Sequence, residues 1–233
     1  MNFFHFLRQA NEHCFYGLFS IPPHHQKLVV DSIIWAFKHT ERNISEMGLE
    51  ILGELLEKVA VTPQICDSFF QTFLILLVNE VLGIMTDRLH KSGFKLQVMV
   101  LMHLFRSVQL NQIKSPIFNV AEHPTIQDNA QYLRETVINL LVEAFPNLNH
   151  TQITSFVVVF FDVNMDLNSL KDHVRDFLIT VKEFAAEDNS DLYIEEREAS
   201  LELTKSEQWQ YRASVPGLLK PDEVEYNHND DLQ

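Results

Sequence analysis

The residues that could do chemistry in this chain are few, and each set fails on spacing or company. Asp162, Asn164, Asp166 and Asn168 alternate as the first ligands of a calcium loop do. Such a loop needs Gly at its sixth position for the sharp turn and a bidentate Glu at its twelfth. Leu167 and His173 stand there instead. The 11 histidines include the pair His24-His25 but no H-E-x-x-H spacing, so they are expected as scattered helix-surface side chains. His13 beside Cys14 has the elements of a base and a nucleophile, yet Cys14 lies in a run of aromatic residues and is expected as a small core hydrophobe. Its one fellow, Cys66, is far away in sequence, so neither a disulfide framework nor a zinc knuckle is indicated and a reducing compartment is the simpler reading. No G-x-G-x-x-G, G-K-[ST] or G-x-S-x-G element is present to cradle phosphate or raise a serine. Glu195, Glu196, Arg197 and Glu198 place carboxylates side by side, but on an exposed helix such groups are solvated and ordinary. No enzyme, metal or cofactor is expected, and what remains is an interaction surface.

Composition points to the elements that carry such a surface. The chain has 233 residues, 46% of them apolar, with 18 Phe and only 6 Gly. That is ordinary folded protein, short of the turns a β-sandwich needs and so predicted to be helical. A formal net charge of -14 argues against a nucleic-acid partner, which would need clustered Lys and Arg, and favours basic protein partners. The first residues, Met1 to His5, lack the cationic start of a signal peptide. The most apolar windows, Phe73 to Val78 and Phe156 to Phe161, are closed by Asn79-Glu80 and Asp162, so no membrane insertion is expected. The sequons Asn43-Ile44-Ser45 and Asn149-His150-Thr151 are read as helix starts.

Punctuation predicts nine helical segments. The first runs from about Phe3 to Ser20. The second follows Pro22-Pro23 and carries the stripe Val30, Ile33, Ile34, Phe37 at i, i+3, i+4, i+7 spacing. Asn43 and Glu46 form a candidate capping box for the third, whose stripe is Met47, Ile51, Leu52, Leu55, Val59. Thr62 as N-cap with Pro63 opens the fourth, to about Asp87, and Gly93 separates it from Lys95 to Leu110. A Pro-punctuated stretch, Asn111 to Asp128, precedes helices over about Ala130 to Phe145 and, capped by Asn149 and Gln152, to about Val163. Leu170, Val174, Phe177, Leu178, Val181, Phe184 and Ala185 then hold register from about Asn168 to Glu187. The ninth, about Asp191 to Arg212, is polar, with Leu192, Ala199 and Leu203 as a thin apolar line.

Helix pairs begin near residues 22, 64, 126 and 168. Steps of about 40 to 47 residues, stretched once by the loop, predict an all-α solenoid of HEAT-like antiparallel pairs, whose units must stack to bury their faces. In this phasing the first helix lacks its partner, so Phe3, Phe4, Phe6, Leu7, Cys14, Phe15, Tyr16 and Phe19 form a face that a further repeat should cover. The array is assigned to 1–187, the polar helix to 188–215 and a flexible acidic tail to 216–233. Residues 183–233 hold 14 acids against 4 bases, so most of the negative charge is at this end.

Particular runs then carry a family resemblance. They are Asn11-Glu12-His13-Cys14-Phe15, Ile21-Pro22-Pro23, Lys27-Leu28-Val29, Asp31 through Thr40 and Arg42-Asn43 near the start. Near the end they are Arg175-Asp176-Phe177-Leu178, Lys182 through Ala185, Glu187-Asp188, Ser190-Asp191-Leu192, Glu195 through Glu198 and Ser214-Val215-Pro216-Gly217. In these the chain resembles the C-terminal part of the exportin-1 family of nuclear export receptors, in the importin-β superfamily. The middle, roughly 64–165, is more divergent but keeps the helix spacing.

The resemblance implies stacked HEAT repeats that bind leucine-rich export signals together with GTP-bound Ran and shuttle between nucleus and cytoplasm through the nuclear pore. Ran-GTP, nucleoporins and export cargo are the partners it implies. The family's cargo groove lies in earlier repeats, and its last helix and acidic tail hold that groove closed until Ran binds. Carried over, the regulatory helix includes Leu192, Glu195, Glu196, Arg197 and Glu198, and the tail includes Asp222, Glu223, Glu225, Asp230 and Asp231. The tail departs from the family where Tyr226, Asn227, His228 and Asn229 interrupt its acids. The alternative is a generic HEAT scaffold without transport activity.

Overall fold

A computed structural model describes residues 2–87, 93–184 and 189–214. Among them are ten α-helices, one 3-10 turn and no strand. The helices are α1 (Asn2–His13), α2 (Phe15–Ser20), α3 (Pro23–Phe37), α4 (Arg42–Ala60), α5 (Pro63–Thr86), α6 (Phe94–Gln109), α7 (Asn129–Ala144), α8 (His150–Val159), α9 (Leu167–Phe184) and α10 (Ile194–Ser214); the 3-10 turn is Ser190–Tyr193. The chain divides into two compact units between Leu192 and Tyr193.

In the first unit α3 pairs with α4, α5 with α6 and α7 with α8, as an α-solenoid requires. A row of neighbours, α1 against α4, α4 against α6 and α6 against α9, forms one layer, while α5 meets α7 in the other. The phasing of the last repeat differs from expectation. α9 was placed as the first helix of a fourth pair, but it lies against α6 as well as α8. With only ten residues, α8 is shorter than α6 at 16, and the longer α9 lies beside α6 in its place. α5 is long and apolar enough to cross a membrane by length and composition alone, contrary to the reading of its short windows. Half of that stretch is buried here, and Phe69, Phe70, Leu74, Leu77, Val78 and Val81 are core residues.

α4 is packed on several sides. Leu49, Ile51, Leu52, Leu55, Leu56 and Val59 are all buried, which an amphipathic stripe alone would not require; α1, α3, α5 and α6 cover it from different sides. Its closest approach is to α3 at Gly48, where an added Cβ would stand 2.6 Å from the Phe37 backbone nitrogen and 2.8 Å from the Ala36 Cβ. Gly93, at φ 75°, takes the left-handed conformation that starts α6.

The start signals held unevenly. Asn149 and Gln152 form the expected capping box at α8. Asn43 does not cap α4: the N-cap is Glu41, two residues earlier, and Glu46 instead accepts from Arg42 Nε at 2.8 Å. Thr62 is the N-cap of α5, but its hydroxyl donates back to the Lys58 carbonyl at 2.7 Å rather than capping. The predicted first helix is broken at Cys14 (φ -126°, ψ 30°). Lys58 Nζ reaches from α4 and donates to the Asn11 and Glu12 carbonyls, at 2.6 and 3.1 Å, which are the acceptors a continuous helix would have used. The break brings Phe15 into the core and Phe19 within 5.9 Å of the Phe69 ring. It also leaves Cys14 exposed rather than buried, so the expectation of a core cysteine is wrong.

The long loop between α6 and α7 is tied down. Asp67 of α5 accepts from the Lys114 N–H (2.7 Å), the Ser115 N–H (3.1 Å) and the Ser115 hydroxyl (2.7 Å). Burial pushes the Asp67 carboxyl up, but these hydrogen bonds outweigh it and leave its pKa below the ordinary value.

Two outcomes are expected. Gly48→Ala overpacks the α3–α4 contact and should cost about 1–3 kcal/mol in urea unfolding, whereas Gly53→Ala, whose Cβ would meet only the flexible Met99 Cε at 3.2 Å, should cost less. A carboxyl whose pKa falls on folding stabilises above its unfolded pKa, near 4, and loses that contribution as pH drops through the folded value. Asp67→Asn should therefore be less stable than the parent chain at about pH 6, with the difference closing below about pH 4 in the same assay.

Candidate interaction surfaces

The sequence-predicted residues are distributed rather than gathered into one site. Leu192 belongs to the 3-10 turn and not to the polar helix that follows. Its side chain is buried, and its carbonyl accepts from Arg175 Nε at 3.2 Å. Arg175 is itself buried; it donates to Asp172 at 2.8 Å and lies over the Phe94 ring at 5.7 Å. One side chain of α9 thus fixes both the turn and the start of α6. Arg175 lies within a run that resembles the family, but nothing in the local pattern marks an arginine as core.

In the second unit, Glu195 and Glu196 occupy the first turn of α10, where carboxylates are favourable against the helix dipole. Glu195, Glu196 and Glu198 are half-buried and Arg197 is exposed, its Nε donating to the Tyr193 carbonyl at 3.4 Å. Leu201, Leu203, Trp209 and Tyr211 are exposed along the same helix. Asp222, Glu223, Glu225, Asp230 and Asp231 lie outside the described residues, as does the rest of the expected tail.

The aromatic first segment is only partly uncovered. Phe4, Leu7 and Phe15 are buried against the array, while Phe3, Tyr16 and Phe6 (69% exposed) face solvent. They are joined by two residues of α3 that sequence reading passed over, Leu28 and Trp35 (57% exposed). The Trp35 ring stacks on Phe4 at 5.9 Å, and Phe3, Phe4, Leu28 and Trp35 line an apolar hollow with Asp31 and Ser32. The signal was available: Leu28 and Trp35 are seven residues apart, two helical turns, on the face opposite the Val30–Ile33–Phe37 stripe. On the other side of Trp35, Lys27 pairs with Asp31 at 2.7 Å and Lys38 with Glu80 at 2.5 Å, so the patch has a charged rim.

A second hollow, about 440 Å³, opens between α8 and α9. Its floor is a stack of rings, Phe156 on Phe177 at 3.8 Å and on His173 at 5.6 Å, and its rim is polar, with Asn149, Gln152, Ser155 and Asp176. His173 Nε2 is 3.1 Å from the Phe156 carbonyl, so the intended ligand position of a calcium loop is occupied by a packing contact. Among the described residues no group of three or more His, Cys, Asp or Glu stands together to hold a metal ion. Cys66 is buried, its thiol 3.6 Å from the Gln112 carbonyl, and burial followed by the Asp67 charge raises its pKa to about 11, which keeps it protonated and unreactive.

Stacked helix hairpins define a helical-repeat protein. Comparison with known proteins is more specific. The family described as "CRM1 C terminal" matches residues 1–186, and the chain belongs to that family. It is similar to exportin-1 of Schizosaccharomyces pombe, 44% identical over 220 residues, covering 94% of this chain and 20% of that protein. Protein EXPORTIN 1B of Arabidopsis thaliana is 40% identical over 226 residues, with 97% and 20% covered, and exportin-1 of Dictyostelium discoideum is 38% identical over 231 residues, with 99% and 21% covered. The chain thus spans about a fifth of the length of the curated relatives it matches.

Large exposed apolar side chains in one patch promote association. The double substitution Phe3→Gln with Trp35→Gln, two residues that line the same hollow, should shift the purified chain toward monomer in sedimentation velocity while leaving its helix content unchanged, since both side chains are largely in solvent.

Proposed function

We propose that this chain is the C-terminal segment of a nuclear export receptor of the exportin-1 kind and works by binding proteins without chemistry. The observation that carries this is the family match over residues 1–186 combined with relatives named exportin-1 that align to 94–99% of the chain. In this reading the segment takes part in Ran-GTP-dependent export of proteins carrying leucine-rich signals, shuttling between nucleus and cytoplasm. The array, residues 1–187, helps to enclose Ran. Its apolar hollows, at Trp35 and between α8 and α9, are of a size and character to seat single aromatic side chains such as those of nucleoporin repeats.

The polar helix and the tail after it regulate cargo binding. Leu192 anchors the turn from which the helix departs; Glu195, Glu196, Arg197 and Glu198, with Asp222, Glu223, Glu225, Asp230 and Asp231, supply charge for a contact weak enough to be displaced. A reversible latch must differ only modestly in free energy between its two positions, and a helix poor in core residues suits that requirement. Basic partners fit a segment with a formal net charge of -14.

The test is a capture experiment with the purified chain against Ran loaded with GTP or GDP, nucleoporin Phe-Gly repeats, and an exportin-1 receptor lacking its own C-terminal repeats. Preferential capture of the GTP form, or binding to the truncated receptor, is the expected result. Silence with all three from a folded sample would replace this reading with a generic helical scaffold.

A further inference from the structure

The longest irregular segment among the described residues, between α6 and α7, is held at one crossing point. Ser115 donates twice to Asp67, through its N–H at 3.1 Å and its hydroxyl at 2.7 Å, and its carbonyl accepts from Asn129 Nδ2 at 3.0 Å. On either side, the Lys114 N–H donates to the other Asp67 oxygen at 2.7 Å and the Ile117 N–H donates to Asn129 Oδ1 at 2.9 Å. Gln71 Nε2 of α5 donates to the Pro116 carbonyl at 2.8 Å. Beneath these ties Ile113 and Ile117 are buried. The hydroxyl at the crossing is followed directly by proline, and the neighbours Lys114 and Pro116 are exposed while Ser115 is half-buried. A Ser-Pro pair in a surface loop is the dipeptide that proline-directed protein kinases read.

We propose that Ser115 is a phosphorylation site for a proline-directed kinase, and that its modification releases the loop from α5. In the transfer, Ser115 Oγ forms a bond to the γ-phosphorus of a nucleoside triphosphate brought by the kinase. The bond from that phosphorus to the β,γ-bridging oxygen breaks, nucleoside diphosphate leaves, and the hydroxyl proton passes to the kinase's base and then to solvent. A neutral donor becomes a group carrying about -1.5 to -2 charges at neutral pH. It can no longer donate to Asp67, and its oxygens meet a carboxylate of like charge. Three donors converge on that one carboxylate, so the ties at Lys114 and Ser115 fail together. Lys114, whose Nζ now donates to the Asn111 carbonyl at 2.6 Å, is the adjacent cation with which the phosphate can pair within the loop itself. The bistable element is the loop, closed on Asp67 when Ser115 is free and open when it is phosphorylated.

The experiment treats the folded full chain with MgATP and a panel of proline-directed kinases, locates phosphate by peptide mass spectrometry, and follows amide hydrogen exchange. Phosphate at Ser115, absent from the Ser115→Ala chain, is expected. The amides of Lys114 and Ser115, which donate to Asp67, should then exchange at least about tenfold faster, while those of α4 keep their protection. Phosphate that falls only on other residues, or on none, overturns the proposal. So does a chain phosphorylated at Ser115 whose two reporter amides exchange as before.

Discussion

The rest of the molecule depends on the approach of α3 to α4. Neither helix can bury its apolar residues alone, and the absence of a side chain at Gly48 lets the two backbones close until the Phe37 main chain sits where a Cβ would go. That contact fixes α4 deep enough for α1, α5 and α6 to pack on its remaining faces. α6 then receives α5, α7 and α9, so the array grows outward from one tightly packed hairpin. An enclosed helix of this kind contributes through close-packed apolar contact, where a single added methyl is felt.

Around this regular frame, several irregular segments among the described residues are held by a polar side chain projecting from a neighbouring helix. Lys58 of α4 takes the carbonyls freed at the α1–α2 break. Asp67 of α5 and Asn129 of α7 gather the long loop. Arg106 of α6 donates to the Val163 and Met165 carbonyls of the α8–α9 connection, at 3.1 and 2.6 Å, and Arg175 of α9 holds the Leu192 carbonyl. Irregular backbone leaves donors and acceptors without intrahelical partners, and a partly buried one must find them elsewhere. Here they come from side chains on neighbouring helices, so these described connections are tied without secondary structure of their own.

The surface left over is what a binding segment would use. The rings at Phe6 and Trp35 and the hollow over Phe156 and Phe177 lie on helices whose opposite faces are fixed in the core, so these surfaces are positioned by the array rather than by their own loops.

The sequence by itself determined most of the helices, the pairing of α3 with α4, α5 with α6 and α7 with α8, and the family resemblance, because prolines, apolar spacing and some capping residues act within a few residues of one another. The Asn149–Gln152 capping box and the helix break at Gly93 are local devices and legible in the sequence; the left-handed conformation of Gly93 is seen only in the structure. Only the tertiary structure decided that α1 breaks at Cys14, that α9 lies beside α6, that Leu192 is buried under Arg175, and that Trp35 faces solvent while Phe4 does not. Each of these turns on a partner distant in sequence: Lys58 for the break, the short α8 for the displaced α9, Arg175 for Leu192. Pattern along the chain says which face of a helix is apolar; which neighbour covers that face, and which apolar residue is left over, is set by packing in three dimensions.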